Sequence, residues 1–323
     1  MLLRFCAVAL VLVAGHAGAW AQAQEWPSRP VHVMIPFGAG SATDVVPRIV
    51  FEQLTAQLGQ PFIIENRVGA GGTLATAAVA KAEPDGYTLL ATSNAHAITP
   101  AMYSNLSYDA AADFAAVAPF GTLPNVLIIS PAKGIKTVQE LVAAAKARPG
   151  AFNYASVGVG SATHLSVERF RLSAGIEMVH IPFKGGPEAL TEVIAGRVEL
   201  YFCPINTALP YIRDGRVLAL VVNSTKRAEA LPDVPTTLEA GFRDADFPIW
   251  LGMLAPAKTP RDIVERLHRH TMRAIQVPAT HEKLSKAGIE PLALTPAEFD
   301  ARVRADIAAN GVLIKNAGIK PTN

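Results

Sequence analysis

The sequence predicts an α/β protein organised as two lobes. Apolar runs of strand length alternate with segments of helical period, which argues for βα units and largely parallel sheets rather than a sandwich. Loops rich in Gly and small residues recur where a strand passes into a helix. Two extended segments, rather than one, join two groups of these units, and that is the outline of a hinged clamp. A single doubly wound sheet with a helical extension is the competing arrangement, and length alone separates the two weakly.

The first unit is expected as a strand over 31–36, the loop Phe37-Gly38-Ala39-Gly40-Ser41-Ala42-Thr43, and a helix over 44–58 in which Val45, Ile49, Val50 and Leu54 recur at helical spacing. Gly59 ends that helix. A second unit follows with a strand over 62–65, the loop Asn66-Arg67-Val68-Gly69-Ala70-Gly71-Gly72, and a small-residue helix over 73–82. The turn Pro84-Asp85-Gly86 leads into a strand over 87–92, with Ser93 and Asn94 just beyond its end. Residues 116–130 read as extended chain. A helix over 138–148 and a strand over 152–156 come next, and the loop Val157-Gly158-Val159-Gly160-Ser161-Ala162 opens a helix at Thr163. A fourth unit has a strand over 178–181, the loop Pro182-Phe183-Lys184-Gly185-Gly186, and a helix over 187–195 with Pro187 in its first turn. Strands over 198–202 and 217–222 complete this group. A Pro-rich stretch, 231–235, leads to a second extended apolar segment, 249–255, and then to helices over 261–276, 281–287 and 296–316.

Half of the 323 residues are hydrophobic and 17% are charged, enough to bury a large core and too few charges for a disordered chain. With 29 basic and 27 acidic side chains the formal charge is +2, and no run of Lys and Arg occurs, so nucleic acid is not an expected partner. Cys6 and Cys203 form no disulfide framework and no C-x-x-C site. Arg4 precedes an apolar run over 5–14 and small residues with two A-x-A patterns, 19–21 and 21–23, the build of a cleaved secretory signal over 1–23. The run is well short of the roughly 20 apolar residues that span a bilayer. The exported chain keeps only Cys203, a lone thiol expected to be buried rather than reactive.

Ligands of open α/β sheets bind where strands pass into helices. In these loops Gly38, Gly40, Gly71, Gly72, Gly158, Gly160, Gly185 and Gly186 admit close backbone approach, and helix starts offer unpaired N–H groups with partial positive charge. Only Arg67 and Lys184 add positive side chains there, so a small carboxylate held mostly by backbone donors fits better than a polyphosphate. Any one such loop is weak evidence, since glycines after strands often serve only the turn. Gly158-Val159-Gly160-Ser161-Ala162-Thr163 has Thr where a dinucleotide fingerprint has its third Gly, and no P-loop, G-x-S-x-G or H-E-x-x-H motif occurs. No enzymatic activity, cofactor or metal is expected.

His164, in the first turn after the third loop, reads equally as a ligand donor or as the partner of a backbone group. Ser161 and Thr163 are natural N-cap residues, and at least one is expected to cap. Asp44 is expected to bond back to its own loop, because a carboxylate facing an anionic ligand would repel it. Phe37 and Phe183 can cover a ligand from opposite lobes, although aromatic residues after strands are more often core.

At this point the sequence resembles a known family. Trp26-Pro27-Ser28-Arg29-Pro30, Ile35-Pro36-Phe37-Gly38-Ala39-Gly40 with Asp44, Glu65-Asn66-Arg67 with Gly69-Ala70-Gly71-Gly72, and Pro84-Asp85-Gly86-Tyr87-Thr88-Leu89-Leu90 are similar to the tripartite tricarboxylate transporter substrate-binding proteins, or Bug receptors. Gly160-Ser161 with His164-Leu165, Ile181-Pro182-Phe183-Lys184-Gly185, Leu231-Pro232-Asp233-Val234-Pro235-Thr236 and Trp250 with Gly252 extend the likeness over the whole exported chain. The resemblance implies a two-lobed periplasmic binding protein of the type II, Venus-flytrap kind, a monomer that closes on a small carboxylate and delivers it to the membrane subunits of a transporter. Lobe 1 is expected over 24–122 plus 251–323 and lobe 2 over 123–250. It also implies a ligand set: Phe37, Gly38, Ala39, Gly40, Ser41 and Asp44 from the first loop, Asn66, Ala70, Gly71 and Gly72 from the second, Ser93 and Asn94, and Ser161, Thr163, His164, Phe183, Lys184, Gly185 and Cys203 from lobe 2. Ser41 stands where many relatives have a second Gly, which narrows the first loop. Cys203 stands where relatives commonly carry Asp, which disfavours an amino-acid ligand. A sensory receptor, or an exported enzyme on the same scaffold, is the alternative function.

Overall fold

The computed structural model describes residues 26–321, so the expected secretory signal over 1–23, with Cys6, lies outside the described residues. Two five-stranded sheets carry the architecture. The first has the order β2-β1-β3-β10-β4, where β1 is Val31–Ile35, β2 Phe62–Asn66, β3 Thr88–Ser93, β4 Phe114–Leu123 and β10 Ile249–Pro256. The second has the order β7-β6-β8-β5-β9, with β5 Asn125–Ile129, β6 Phe152–Ser156, β7 Met178–Pro182, β8 Leu200–Pro204 and β9 Leu218–Val222. In each, three parallel strands are completed by antiparallel pairing, β10 against β3 and β4 in the first and β5 against β8 and β9 in the second.

Burial explains the strand sequences. On β1, Val31, Val33 and Ile35 are buried while His32 is exposed, and β5 and β10, each with a neighbour on both sides, are buried throughout. The helices packed around the sheets are α1 (Ala42–Leu58), α2 (Thr73–Ala80), α3 (Ala95–Met102), α4 (Val138–Ala147), α5 (Ala162–Ala174), α6 (Gly186–Ile194), α7 (Ile205–Arg213), α8 (Arg261–Gln276), α9 (Pro278–Lys286) and α10 (Pro296–Asn316). Helix α10 starts with a capping box, in which Thr295 Oγ1 accepts from the Glu298 N–H at 3.2 Å and the Glu298 carboxylate accepts from the Thr295 N–H at 2.8 Å. The C-terminal helices return to the first sheet, where α8 and α10 pack on β4.

The chain crosses between sheets twice. Pro124 links β4 to β5, and 223–248 links β9 back to β10. Strand pairing puts Leu123 opposite Ile249, and Thr122 opposite Trp250, so β4 and β10 run side by side up to the two crossings. Contacts between lobes flank the crossings: Asn206 Nδ2 donates to the Ala287 carbonyl at 3.0 Å, and Leu165 of α5 is buried in the core of the first lobe. Helices α3 and α7 carry no expectation from the sequence. Both are short and hold an internal proline, Pro100 and Pro210, which ordinarily argues against helix.

Candidate functional site

The loops that precede α1 and α5 share five of six residues. Gly38-Ala39-Gly40-Ser41-Ala42-Thr43 in the first lobe matches Gly158-Val159-Gly160-Ser161-Ala162-Thr163 in the second. Their bonds match too. Ser41 Oγ donates to the Gly38 carbonyl at 2.8 Å and Ser161 Oγ to the Gly158 carbonyl at 2.7 Å. The second glycines, Gly40 and Gly160, adopt φ of 83° and 73°, a region that favours glycine. The N–H of Gly40 is taken by Asp44 Oδ2 at 2.9 Å, and the N–H of Gly160 by His164 Nδ1 at 3.0 Å. Each loop thus ends at a helix start whose first N–H groups have no intrahelical acceptor.

Asp44 is held from several sides. Its Oδ1 accepts from Arg48 Nε at 2.9 Å and Asn66 Nδ2 at 2.8 Å, and Asn66 Nδ2 also donates to the Phe37 carbonyl at 2.9 Å. Burial alone would raise the Asp44 carboxyl, but the bonds from Gly40, Asn66 and Arg48 together outweigh it and hold the group below its usual range. Asp44 and Asn66 therefore tie the first loop to the second from behind.

His164 does the same for the lobe-2 loop. Its ring stacks on His180 with centroids 3.8 Å apart and planes 8° apart, the Tyr154 ring lies beside both, 5.0 Å from His180 and 6.0 Å from His164, and the Tyr154 hydroxyl donates to Glu168, itself paired with Arg171. Burial pushes His164 down to about 4, with His180 beside it adding to the shift, and burial also lowers His180. An acceptor at Nδ1 requires the neutral ring. The folded state binds the proton less readily than the unfolded chain, so this contribution to stability is complete above pH 6.5 and is lost as pH falls from 6.5 towards 4. The melting temperature should fall by several degrees over that range. His164→Asn, which retains an acceptor for Gly160, should flatten the fall measured by differential scanning calorimetry, leaving the shares of His180 and of His96, which is also pushed down to about 4 by burial.

Between the lobes lies a cavity of about 440 Å³. Phe37, Thr43, Gly71 and Ser93 line it from the first lobe, and Val157, Val159, Gly160, Ser161 and Ala162 from the second. Its floor is Ala95, Ile98, Thr99 and Met102 of α3 with the adjoining Tyr103, and the crossing strands add Leu123 and Ile249. The run Gly69-Ala70-Gly71-Gly72 has positive φ throughout, which presents Gly71 beneath the Tyr103 ring. None of these lining residues is Asp, Glu, Lys, Arg or His.

Of the residues expected from the sequence, Phe37, Gly71, Ser93 and Ser161 line this cavity; Gly38, Ala39, Gly40 and Ser41, with Ala70 and Gly72, complete the loops beside it. Ser161 caps α5, accepting from the His164 N–H at 3.2 Å, and Thr163 Oγ1 accepts from the Val157 N–H at 3.1 Å. Several expected contacts are not brought to the cavity. Asn94 is buried beside Arg169, Arg302 and Asp306, with its N–H on the Trp250 carbonyl at 3.1 Å. The His164 ring faces a different groove, with Glu168, Arg171 and His180. Phe183 lines a separate groove with Glu188 and Thr191, the exposed Lys184 donates its N–H to Glu188 at 3.3 Å, and Gly185 serves as the N-cap of α6. Cys203 is not brought to the cavity either. Alternation along β8 turns Tyr201 and Cys203 towards α6 and α7, so Cys203 is fully buried in an apolar cluster with Val126 and Ile205, and burial pushes its thiol up.

Sequence reasoning missed the floor, because α3 gave no signal of its own. The six-residue repeat at 38–43 and 158–163 could have identified both loops as equivalent.

Comparison with known proteins matches residues 46–319 to the family described as tripartite tricarboxylate transporter family receptor. Protein BugT of Bordetella pertussis is 33% identical over 92% of this chain and 92% of its own length. Among solved structures, a Rhodopseudomonas palustris protein with adipate shares 32% identity with a TM-score of 0.79, covering 92% of this chain and 100% of that one. MatC of the same organism, with bound malate, shares 31% with a TM-score of 0.75, covering 90% and 100%.

Proposed function

The chain belongs to the tripartite tricarboxylate transporter receptor family, whose members are binding proteins rather than enzymes, and from that premise we propose that it captures a small carboxylate between its lobes and hands it to the membrane subunits of such a transporter. The capture takes place outside the cytoplasm, in the periplasm, after export by the segment over 1–23. Phe37–Ser41 and Ala70–Gly72 from one lobe and Val157–Ser161 from the other surround the ligand.

One observation carries this reading. Two equivalent Gly-rich loops, each running into a helix start, face a single interlobe cavity whose wall holds no charged side chain. A carboxylate there meets backbone donors and helix N-termini instead of Arg or Lys. Bound adipate and malate, both carboxylates, in two structural relatives support the same chemistry. Contact with both lobes favours the closed arrangement, so binding shifts an open–closed equilibrium with no covalent step.

A thermal-shift comparison of acids with their primary amides tests it. An acid that binds the native state raises the melting temperature, and its amide, lacking the charge, should not. Equal shifts for acid and amide would remove the anion grip, and no shift with any acid would remove the carboxylate reading.

A further inference from the structure

Resting on the carboxylate reading above, we infer that the body of the ligand is apolar, an aliphatic or aromatic acid without hydroxyl or amino substituents along its length. The larger side chains in the wall of the cavity include Ile98, Met102, Tyr103, Leu123, Val159 and Ile249. These come from four separate elements, so the apolar surface surrounds a ligand rather than touching it on one side.

Of the five hydroxyl groups in the wall, those of Thr43, Ser93, Thr99, Tyr103 and Ser161, three have their protons committed. Thr99 Oγ1 donates to the Ala95 carbonyl at 2.7 Å, and Ser161 Oγ donates to the Gly158 carbonyl at 2.7 Å. Ser41 Oγ spends its proton on Gly38, so the 2.9 Å bond between Ser41 and Thr43 takes the proton of Thr43. A hydroxyl carries one proton, and each of these is already in use. Away from Ser93 and Tyr103, a ligand hydroxyl meets wall hydroxyls that can accept but not donate, and gives up water for few partners. An ammonium group fares worse, because no carboxylate lines the cavity and Asp44 is turned away and bonded to Gly40, Arg48 and Asn66. An apolar body gains from burial against the same surface. The exclusion of amines thus comes from the composition of the wall, not from Cys203, which does not reach it.

Titration calorimetry on the exported chain, with benzoate, hexanoate and heptanedioate against malate, tartrate and glutamate, tests the inference. The best apolar acid should bind at least about tenfold more tightly than any hydroxylated or amino acid in the set. Val159→Thr replaces an exposed wall side chain by one of the same shape and should reduce that ratio by about threefold or more without changing the melting temperature. Equal or tighter binding of malate, tartrate or glutamate would overturn the apolar body and leave the carboxylate reading standing. Binding of none of the acids would overturn the carboxylate reading itself.

Discussion

In a Gly71→Val protein, titration calorimetry should return no measurable binding of any acid that the wild-type protein takes up, while the protein stays folded with a melting temperature a few degrees lower. Gly71 sits at φ 63° on the surface of the interlobe cavity, and a Cβ there would lie 2.9 Å from ring atoms of Tyr103. The valine must push Tyr103 into the space a ligand needs, or fill that space itself. Left-handed backbone costs an L-residue about 1–2 kcal/mol, which sets the expected loss of stability. Gly59→Val separates the two effects. Gly59 has φ 70° with nothing within 4 Å of a Cβ, at the far end of α1, so that variant should lose similar stability and keep full affinity. Unchanged binding in the Gly71 variant would take the second loop out of the site.

Gly160→Val should hold the lobes apart. A Cβ on Gly160 would come within 2.7 Å of Met102 Cε and 2.9 Å of its Sδ, and these two residues belong to opposite lobes. The expected result is a loss of affinity of about a hundredfold or more, corresponding to roughly 3 kcal/mol, together with loss of any ligand-induced compaction in small-angle X-ray scattering. Adding Met102→Ala removes the obstructing thioether, so the double variant should regain compaction even though the strain at φ 73° persists. Full compaction in the single variant would show that this loop does not approach α3 when the lobes close.

How much of this was readable in the sequence depended on whether the signal was local. Strands such as β1 and β6 and helices such as α8 and α10 announce themselves through apolar periodicity, capping and flanking turns, and the structure has them within a residue or so of their expected bounds. The two lobes were legible for the same reason, since the extended segments around 116–130 and 249–255 stand out against the βα alternation. Helices α3 and α7 were not, because Pro100 and Pro210 cancel a weak helical signal that tertiary packing then overrides. The glycines of the loops were legible from type and position. The direction of a side chain was not: His164 turns inward because Gly160 and His180 are there to receive it, and Cys203 faces α6 and α7 because of the register of β8. The cavity floor was invisible for both reasons, being built from α3 and from residues that meet only after the lobes assemble.

A crystal structure with an acid that raises the melting temperature tests the central claim most directly. The account predicts its carboxylate within about 3.2 Å of backbone N–H groups of the loops that precede α1, α2 or α5, with its body between Ile98 and Val159 and both lobes in contact. Density for the acid only in the groove lined by Tyr154, Arg171, His180 and Lys320, with the interlobe cavity holding none, would contradict it.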